Sequence, residues 1–239
     1  MEWLIGKNIA HRGLHSNNSD IPENSIPAFE LAIKNNLPIE LDVHALKDGM
    51  VVVFHDNNLK RMTGVDKKIS ECNFEEINEL RLLGSNYKIP TLIEVLKLVN
   101  NKVPILIETK STSSIGYLEK RLLKLLKNYN GRYAIQSFNP LSILWFRIHS
   151  NKIFRGQLSS YFKHDKISIV TKFLVKNLLT NFITKPNFIS YNIDNLPNIR
   201  VSRLRKKGMP IFGWTIRNMD EYKKAKRYCD SIIFENIKL

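Results

Sequence analysis

The sequence has few cysteines and no long apolar run. Cys72 and Cys229 are its only cysteines, too few and too far apart for a disulfide framework or a cysteine metal knuckle. We therefore expect two free thiols in a reducing compartment. No apolar stretch approaches the ~18 residues of a membrane span, and the N-terminal Trp3-Leu4-Ile5 stretch is too short for a secretory signal. These absences predict a cytoplasmic protein.

Several catalytic motifs are also missing. The first predicted strand is not followed by Gly-x-Gly-x-x-Gly, which argues against a dinucleotide-binding fold. Walker, His-Glu-x-x-His and Gly-x-Ser-x-Gly motifs are absent as well. Metal barrels of the amidohydrolase type need His-x-His on the first strand, and here Gly13 stands two residues after His11.

The chain has 22 Asp and Glu residues against 37 Lys and Arg residues, so its formal net charge is +15. Such a charge attracts anions, whether nucleic acid, lipid head groups or phosphorylated substrates. Lysine is nevertheless abundant along the whole chain. The basic clusters Arg200–Lys207 and Lys223–Arg227 are therefore predicted to be solvated helix faces, and we expect no nucleic-acid partner.

Strand-like apolar runs alternate with amphipathic helical stretches along the 239 residues. This alternation predicts a parallel α/β sheet, and the length suits one TIM (β/α)8 barrel over residues 1–239, with an open doubly wound sheet as the alternative. Nine runs compete for eight barrel positions, so one is not a barrel strand. The runs are Asn8–Gly13, Ile39–Val43, Met50–His55, Val103–Thr109, Tyr133–Phe138, Ile153–Leu158, Phe188–Tyr191, Ile211–Thr215 and Ser231–Phe234.

The spacing between the third and fourth runs is unusually long. Thr91–Val99 is predicted to be an ordinary barrel helix, which leaves Asn57–Pro90 as an extra segment with a short helical pattern at Phe74–Leu83. We expect a small inserted subdomain over residues 57–90, after the third strand. Connections that leave the ends of barrel strands form the active face of such folds.

Ionisable residues recur near the ends of the first four runs. Because strand side chains alternate between the two faces, Glu40 and Asp42 lie on the same face of the second run. Glu108 and Lys110 likewise lie on the same face of the fourth run and its extension. The first run ends in His11 and Arg12, and the third ends in His55. Each feature alone has a structural explanation, such as a simple Glu108–Lys110 salt bridge. Their convergence on consecutive strands favours one active site.

The chemistry of this set indicates a metal-assisted phosphoryl site. Three carboxylates without cysteine ligands suit a hard cation, Mg²⁺, Ca²⁺ or Mn²⁺. Arg12 and Lys110 could hold the phosphate that such a cation prefers. His11 and His55 are suited to general acid–base work, because an unperturbed imidazole titrates near pH ~6.5.

These residues also stand in a familiar order. The chain resembles the glycerophosphodiester phosphodiesterase family over nearly its whole length, in several motifs with matching order and spacing. The motifs are His11-Arg12-Gly13, Pro22-Glu23-Asn24-Ser25, Glu40-Leu41-Asp42-Val43, His55-Asp56, Asn57–Gly64, Pro90-Thr91-Leu92, Glu108-Thr109-Lys110, Gln136-Ser137-Phe138 and Gly213-Trp214-Thr215.

The resemblance implies a TIM barrel with a small inserted subdomain, and it implies roles for particular residues. It implies that Glu40, Asp42 and Glu108 hold a divalent cation and that His11 and His55 form the acid–base pair. It implies phosphate contacts from Arg12 and Lys110, with Glu23 close to the site and Trp214 as a wall of the substrate pocket. The chain departs from the family pattern at Ser25, Leu46 and Phe234-Glu235-Asn236.

The expected activity is hydrolysis of a small glycerophosphodiester to sn-glycerol 3-phosphate and an alcohol. Two alternatives stay open. One is the same chemistry on a lysolipid, as a lysophospholipase D with peripheral contact to a membrane surface. The other is a non-catalytic binder of an anionic polymer or phosphate. Head group, preferred metal and oligomeric state are not predicted.

Overall fold

The structure, a computed structural model, describes residues 1–16, 20–111, 114–162 and 168–239. The chain divides into two compact units, one of residues Ala10–Tyr133 and one of Met1–Ile9 with Ala134–Leu239. Among the described residues, no helix has both the length and the apolar character needed to cross a membrane.

The unit Ala10–Tyr133 contains the last residue of the first strand and the next three strands. In it Ala10 pairs in parallel with Ile39, and the second strand pairs in parallel with the fourth over Ile39–Val43. The elements in chain order are β1 (Asn8–Ala10), α1 (Ile26–Lys34), β2 (Ile39–Ala45), β3 (Val51–Val53), α2 (Lys60–Thr63), α3 (Phe74–Asn78), α4 (Leu92–Val99), β4 (Ile105–Thr109) and α5 (Tyr117–Leu126).

Local sequence explains where helices α1 and α4 of this unit begin. The Ser25 hydroxyl accepts a hydrogen bond from the Ala28 N–H, and Pro27 lies in the first turn of α1. At α4, the Thr91 hydroxyl accepts from the Glu94 N–H while the Glu94 carboxylate accepts from the Thr91 N–H. This reciprocal pair is a capping box, and it fixes the predicted start of the helix.

The extra run among the nine predicted strands is Met50–His55. Only Val51–Val53 is a strand, and it pairs antiparallel with β2, with Val43 opposite Val53. The expectation that one run is not a parallel barrel strand is therefore confirmed for this run, while its predicted strand bounds are too long at both ends. The chain instead turns back at Leu46, whose N–H donates to the Met50 carbonyl oxygen over 2.8 Å. Three consecutive valines favour a buried strand of either direction. The sequence therefore does not distinguish a parallel strand from an antiparallel one here.

The unit containing Ala134–Leu239 continues the strand–helix alternation. Neighbouring strands from β5 to β9 pair in parallel, and the first residues join them, since the Gly6 N–H donates to the Asp230 carbonyl oxygen. The elements are β5 (Tyr133–Ser137), α6 (Pro140–His149), β6 (Phe154–Ser159), α7 (Ile169–Lys176), α8 (Asn181–Thr184), β7 (Phe188–Asn192), α9 (Ile199–Lys206), β8 (Ile211–Ile216), α10 (Met219–Tyr228) and β9 (Ser231–Phe234).

Eight parallel strands with intervening helices confirm the predicted TIM (β/α)8 fold. The helix α6 was not predicted, because its Trp, Phe and Ile residues are equally typical of a strand. A signal was present, however, since Asn139 caps the helix and Pro140 is its first residue. The sequence also predicts a helix over Ile167–Leu179. Its first residue lies outside the described part of the chain, and α7 covers its centre.

The segment 57–90 holds α2, α3 and two short 3₁₀ turns. Its buried side chains pack with residues of the β2–β3 hairpin, so the segment has an apolar core of its own that continues into the hairpin. Leu46, where the chain departs from the family pattern, is fully buried in this cluster. The cluster comprises Leu46, Val52, Phe54, Leu59, Met62, Ile69, Cys72, Ile77, Leu82 and Ile89. Its status as an inserted subdomain stays a prediction.

Both cysteines are free, as predicted, and both are buried. Burial raises the pKa of the Cys229 thiol to about 12. A close approach accompanies this burial, because a β-carbon added at Gly213 would lie 2.7 Å from the Cys229 sulfur. Strand β8 therefore needs glycine at position 213 for α10 and its following residue to pack there.

We expect Gly213→Ala to destabilise the protein by ~1–3 kcal/mol, because the added methyl group overpacks this contact. In a Cys229→Ala background the same substitution should cost clearly less, since the nearest remaining atom, the Cys229 β-carbon, lies 3.5 Å from the added carbon. Urea unfolding of the four proteins of this cycle measures the difference. An equal cost in both backgrounds would contradict the packing explanation.

Candidate active site

Three carboxylates converge on adjacent strands of the unit Ala10–Tyr133. Glu40 and Asp42 project from one face of β2, and Glu108 of β4 lies directly beside Asp42 in the parallel register. One oxygen of each carboxylate lies within 4.8 Å of the others. The three residues are buried, with relative exposures of 1%, 1% and 7%.

Two cations of the protein lie against this cluster. The Lys110 ammonium is 2.9 Å from Asp42 Oδ1 and 2.5 Å from Glu108 Oε1. The Arg12 guanidinium is 3.5 Å from Asp42 Oδ2, and the Arg12 backbone N–H donates to Glu40 Oε2 over 3.1 Å. All of these partners were predicted to belong to one site, and the structure brings them together.

The electrostatics of the three carboxylates are unequal. Burial raises the pKa of Glu40 well above its usual range, and the charges of Asp42 and Glu108 raise it further. Burial likewise raises the pKa of Glu108, with a further contribution from Asp42. For Asp42, burial acts upward, but Lys110, His55 and Arg12 together hold its pKa well below the usual value. Two carboxylates thus lack full compensation by the protein's own cations.

This donor set fits a hard divalent cation. Carboxylate oxygens are the ligands that Mg²⁺, Ca²⁺ and Mn²⁺ prefer, and a cation among them would offset the mutual repulsion that raises the two pKa values. No other group of three His, Cys, Asp or Glu residues within the described part of the chain meets the same distance criterion.

The turn after β1 places His11 and Arg12 over the carboxylates. Strand β1 ends at Ala10, two residues before Arg12, which adopts a left-handed backbone with φ 55°. Gly13 follows with φ 79°, and a β-carbon there would lie 2.9 Å from Ala28 of α1. The turn therefore needs glycine at position 13, both for the positive φ and for the close approach of Ala28. It brings His11 Nε2 to 4.0 Å from Glu40 Oε2.

His55 reaches the site from the end of the β2–β3 hairpin, where the Phe54 N–H donates to the Asp42 carbonyl oxygen. Its Nδ1 lies 2.6 Å from Asp56 Oδ1. Its own carbonyl oxygen lies 3.2 Å from Nε2 of His44, a buried residue. Burial lowers the pKa of His44 to about 4, so His44 is neutral at physiological pH and holds the His55 backbone in place.

Arg61 of α2 connects Asp56, the neighbour of His55, to Glu23, the partner of Arg12. It donates to the Asp56 carboxylate from Nε over 2.6 Å and to Glu23 Oε1 from Nη2 over 2.6 Å. Glu23 Oε1 also accepts from Arg12 Nη1 over 2.7 Å. A continuous path of polar contacts thus runs from Arg12 through Glu23, Arg61 and Asp56 to His55. We call this path the arginine bridge.

Asn24 fixes Asp42 from the other side. Its side-chain amide donates to Asp42 Oδ2 over 2.8 Å, and both residues are buried. Asn24 adopts φ 54°, a conformation that asparagine tolerates better than most residues. In the sequence, Asn24 stands out only as part of the motif Pro22-Glu23-Asn24-Ser25.

Four residues of the site were therefore missed as site residues, namely Asn24, His44, Asp56 and Arg61. Asp56 had a local signal, since it directly follows His55. For His44 and Arg61 the contacts form only through the hairpin and the following helix, so spacing along the chain gave no indication. Trp214 lies on β8 in the other unit, with its ring 5.4 Å from that of Phe138. Its predicted place in the substrate pocket stays a prediction.

The comparisons with known proteins agree with this geometry. The model of the glycerophosphoryl diester phosphodiesterase family matches residues 11–239. A glycerophosphodiester phosphodiesterase of Caldanaerobacter subterraneus is 30% identical over 241 residues, covering 95% of this chain and 93% of the relative. Human lysophospholipase D is 36% identical over 140 residues, covering 53% of this chain and 43% of that protein.

A solved structure supports the fold. That of an Oleispira antarctica phosphodiesterase in complex with the product sn-glycerol-3-phosphate superposes with a TM-score of 0.80 at 21% identity, covering 96% of this chain and 93% of that one. The family match covers nearly the whole sequence and includes all the residues of the carboxylate cluster and the arginine bridge. This chain belongs to the glycerophosphoryl diester phosphodiesterase family and is a phosphoric diester hydrolase.

Proposed function

We propose that the protein hydrolyses small glycerophosphodiesters to sn-glycerol 3-phosphate and an alcohol, with a divalent cation bound by Glu40, Asp42 and Glu108. The observation that carries the proposal is the buried cluster of three carboxylates flanked by Arg12 and Lys110. Glu40, Asp42 and Glu108 would hold the cation, which would neutralise the phosphate oxygens as negative charge builds on them. The solved relative bound to sn-glycerol-3-phosphate supports the product assignment.

The protein's own groups have separate tasks in this scheme. Arg12 and Lys110 bind and orient the phosphate through charge-assisted hydrogen bonds. One histidine of the pair His11 and His55 takes the proton of the attacking hydroxyl, and the other donates a proton to the departing alcohol oxygen as its bond to phosphorus breaks. The attacking group is either water or a glycerol hydroxyl that first forms a cyclic phosphate.

Glu23 acts through its neighbours in this proposal. Its carboxylate accepts hydrogen bonds from both Arg12 and Arg61 and is 5% exposed, so it orients Arg12 rather than contacting an anionic phosphate. A cleft of about 350 Å³ opens beside Lys110 and is lined in part by His44, Lys47 and Ser111. It offers room for part of a substrate next to the proposed phosphate position.

A lysolipid is the second candidate substrate. The likeness to human lysophospholipase D favours it, although that likeness covers about half of this chain. The chemistry and the catalytic residues would be the same. Turnover of micellar lysolipid without turnover of soluble diesters would decide for this candidate.

The central assay measures glycerol 3-phosphate released from glycerophosphocholine by purified protein. We expect release to stop after treatment with EDTA and to return with Mg²⁺, Ca²⁺ or Mn²⁺. Undiminished release after EDTA treatment would contradict the role of the cation. If no metal supports turnover of diesters or lysolipids, a non-catalytic phosphate binder becomes the better account.

Replacing the proposed acid and base provides the second prediction. His11→Ala and His55→Ala should each lower kcat by ~10²–10⁴, as removal of a general acid or base does. His149→Ala is the matched control, because His149 is exposed on α6, where it stacks on Trp145 and its Nδ1 lies 2.9 Å from the Trp145 carbonyl oxygen, outside the proposed site. Wild-type turnover in both site variants would overturn the acid–base assignment.

The third prediction concerns the arginine bridge. Arg61→Ala leaves Glu23 and Asp56 without their shared partner, and we expect kcat/KM to fall by ~10–100-fold, as for other residues that orient catalytic groups. Arg61→Lys should recover part of the loss, because one ammonium can reach only one of the two carboxylates at a time.

Lys60→Ala is the control for this prediction. Lys60 is the neighbouring residue of α2 but pairs with Asp66 on the exposed surface, where a salt bridge contributes little. Steady-state kinetics of the three variants, with circular dichroism to verify folding, test the bridge. Equal effects of Arg61→Ala and Lys60→Ala would show that Arg61 has no positioning role.

A further inference from the structure

Helices α7 and α8 present large apolar side chains to solvent. Ile169 is 86% exposed, Phe173 57% and Phe182 87%. Val170, Leu174, Leu179 and Ile183 are exposed as well, so exposed apolar side chains recur on both helices and on the segment between them. Apolar side chains exposed close together in this way often mark interaction sites. We call the exposed side chains of α7 and α8 the apolar ridge.

The ridge reverses the usual orientation of an amphipathic helix. In α7, Ile169 and Phe173 are four residues apart, as are Val170 and Leu174, so these four side chains form one outward face. The only buried residue of the helix is Val175. The richest apolar face of α7 therefore faces solvent, although an ordinary surface helix packs that face on the core.

Both helices nevertheless contact neighbouring elements of the same unit. The Val175 carbonyl oxygen accepts a hydrogen bond from the Ser159 hydroxyl of β6 over 2.9 Å. The Ile183 carbonyl oxygen accepts from the Arg147 guanidinium of α6, and Thr184 is 3% exposed. Each helix that carries the ridge thus accepts, through a carbonyl oxygen, a hydrogen bond from a neighbouring element.

The charge around the ridge selects its partner. Residues 168–187 include Lys172, Lys176 and Lys185 and contain no Asp or Glu. Lys172 follows Ile169 by three residues and Lys176 follows Phe173 by three, so both lysines border the apolar face. Apolar side chains bordered by lysines are typical of helices that lie in the interface of anionic membranes. A second copy of this chain would bring like charge, at a net +15 per chain.

We propose that α7 and α8 dock the protein on the surface of an anionic phospholipid bilayer. Ile169, Phe173 and Phe182 enter the boundary between head groups and acyl chains, while Lys172 and Lys185 contact the phosphates. The docking is independent of the proposed hydrolysis, since none of these residues belongs to the carboxylate cluster or the arginine bridge.

Vesicle sedimentation tests the docking. The protein should partition onto vesicles of phosphatidylcholine with one third phosphatidylglycerol, and more weakly onto pure phosphatidylcholine. Phe173→Ser combined with Phe182→Ser should reduce partitioning by more than about 10-fold, since both side chains supply buried apolar area. Lys172→Gln should reduce it by about 5-fold, the effect of one basic residue near an anionic surface.

Ile199→Ser is the matched control, because Ile199 is an exposed apolar residue of α9, 67% exposed, outside the ridge. It should leave partitioning unchanged. A wild-type protein that does not bind anionic vesicles, or a control variant that loses as much as the double variant, would overturn the proposal. A concentration-dependent dimer that the double variant abolishes would assign the ridge to a second copy instead.

A gain-of-signal variant keeps the test independent of any loss of folding. Phe182→Trp preserves an aromatic side chain at the most exposed position. Its added fluorescence should shift to the blue on anionic vesicles and be quenched by lipids brominated in the acyl chain. Emission that is unaffected by brominated vesicles would place Phe182 outside the bilayer and contradict the docking. Because both assays measure binding without turnover, they are unaffected by the outcome of the hydrolysis assay.

Discussion

The mutual repulsion of three buried carboxylates is the constraint on which the rest of the site depends. Glu40, Asp42 and Glu108 lie on adjacent parallel strands with their oxygens within 4.8 Å, where water cannot screen them well. Lys110 and Arg12 hold Asp42 ionised, but the pKa values of Glu40 and Glu108 stay raised. The negative charge of the three carboxylates is therefore balanced only when protons or a further bound cation offset the charge that Lys110 and Arg12 leave uncompensated. A divalent cation that also binds a phosphate oxygen would couple the stability of the site to its chemistry.

The surrounding structure keeps the compensating groups in place. The glycine-dependent turn after β1 holds Arg12 over Asp42, and Asn24, just before α1, holds the other side of the same carboxylate. The β2–β3 hairpin returns the chain to the carboxylates and delivers His55 there. Arg61 then connects the turn after β1 to the end of the hairpin, since its guanidinium donates to both Glu23 and Asp56. A network in which every arginine has two carboxylate partners restricts each group to one arrangement.

The sequence predicted the elements that depend on local pattern and missed those that depend on tertiary contacts. Alternation along β2 and β4 placed the three carboxylates on one face, and the parallel register confirmed it. The direction of β3 was not predictable, because Val51–Val53 fits a strand of either polarity. Helix α6 was hidden by residues that favour strands, although Asn139 and Pro140 marked its start. Arg61 could not be placed, because its partner Glu23 lies 38 residues away along the chain. The apolar ridge was likewise hidden, since an amphipathic pattern does not tell which face is covered.

Direct titration of metal-free protein with Mg²⁺, Ca²⁺ and Mn²⁺, followed by calorimetry, tests the central claim most directly. The account predicts saturable binding of one cation per chain by at least one of the three metals. Glu108→Gln should weaken this binding by at least about 10-fold, because it removes one charged ligand, while Glu71→Gln on the exposed surface should not. Absence of binding for all three metals, or equal affinity of the wild-type and Glu108→Gln proteins, would contradict the assignment of the carboxylate cluster as a cation site.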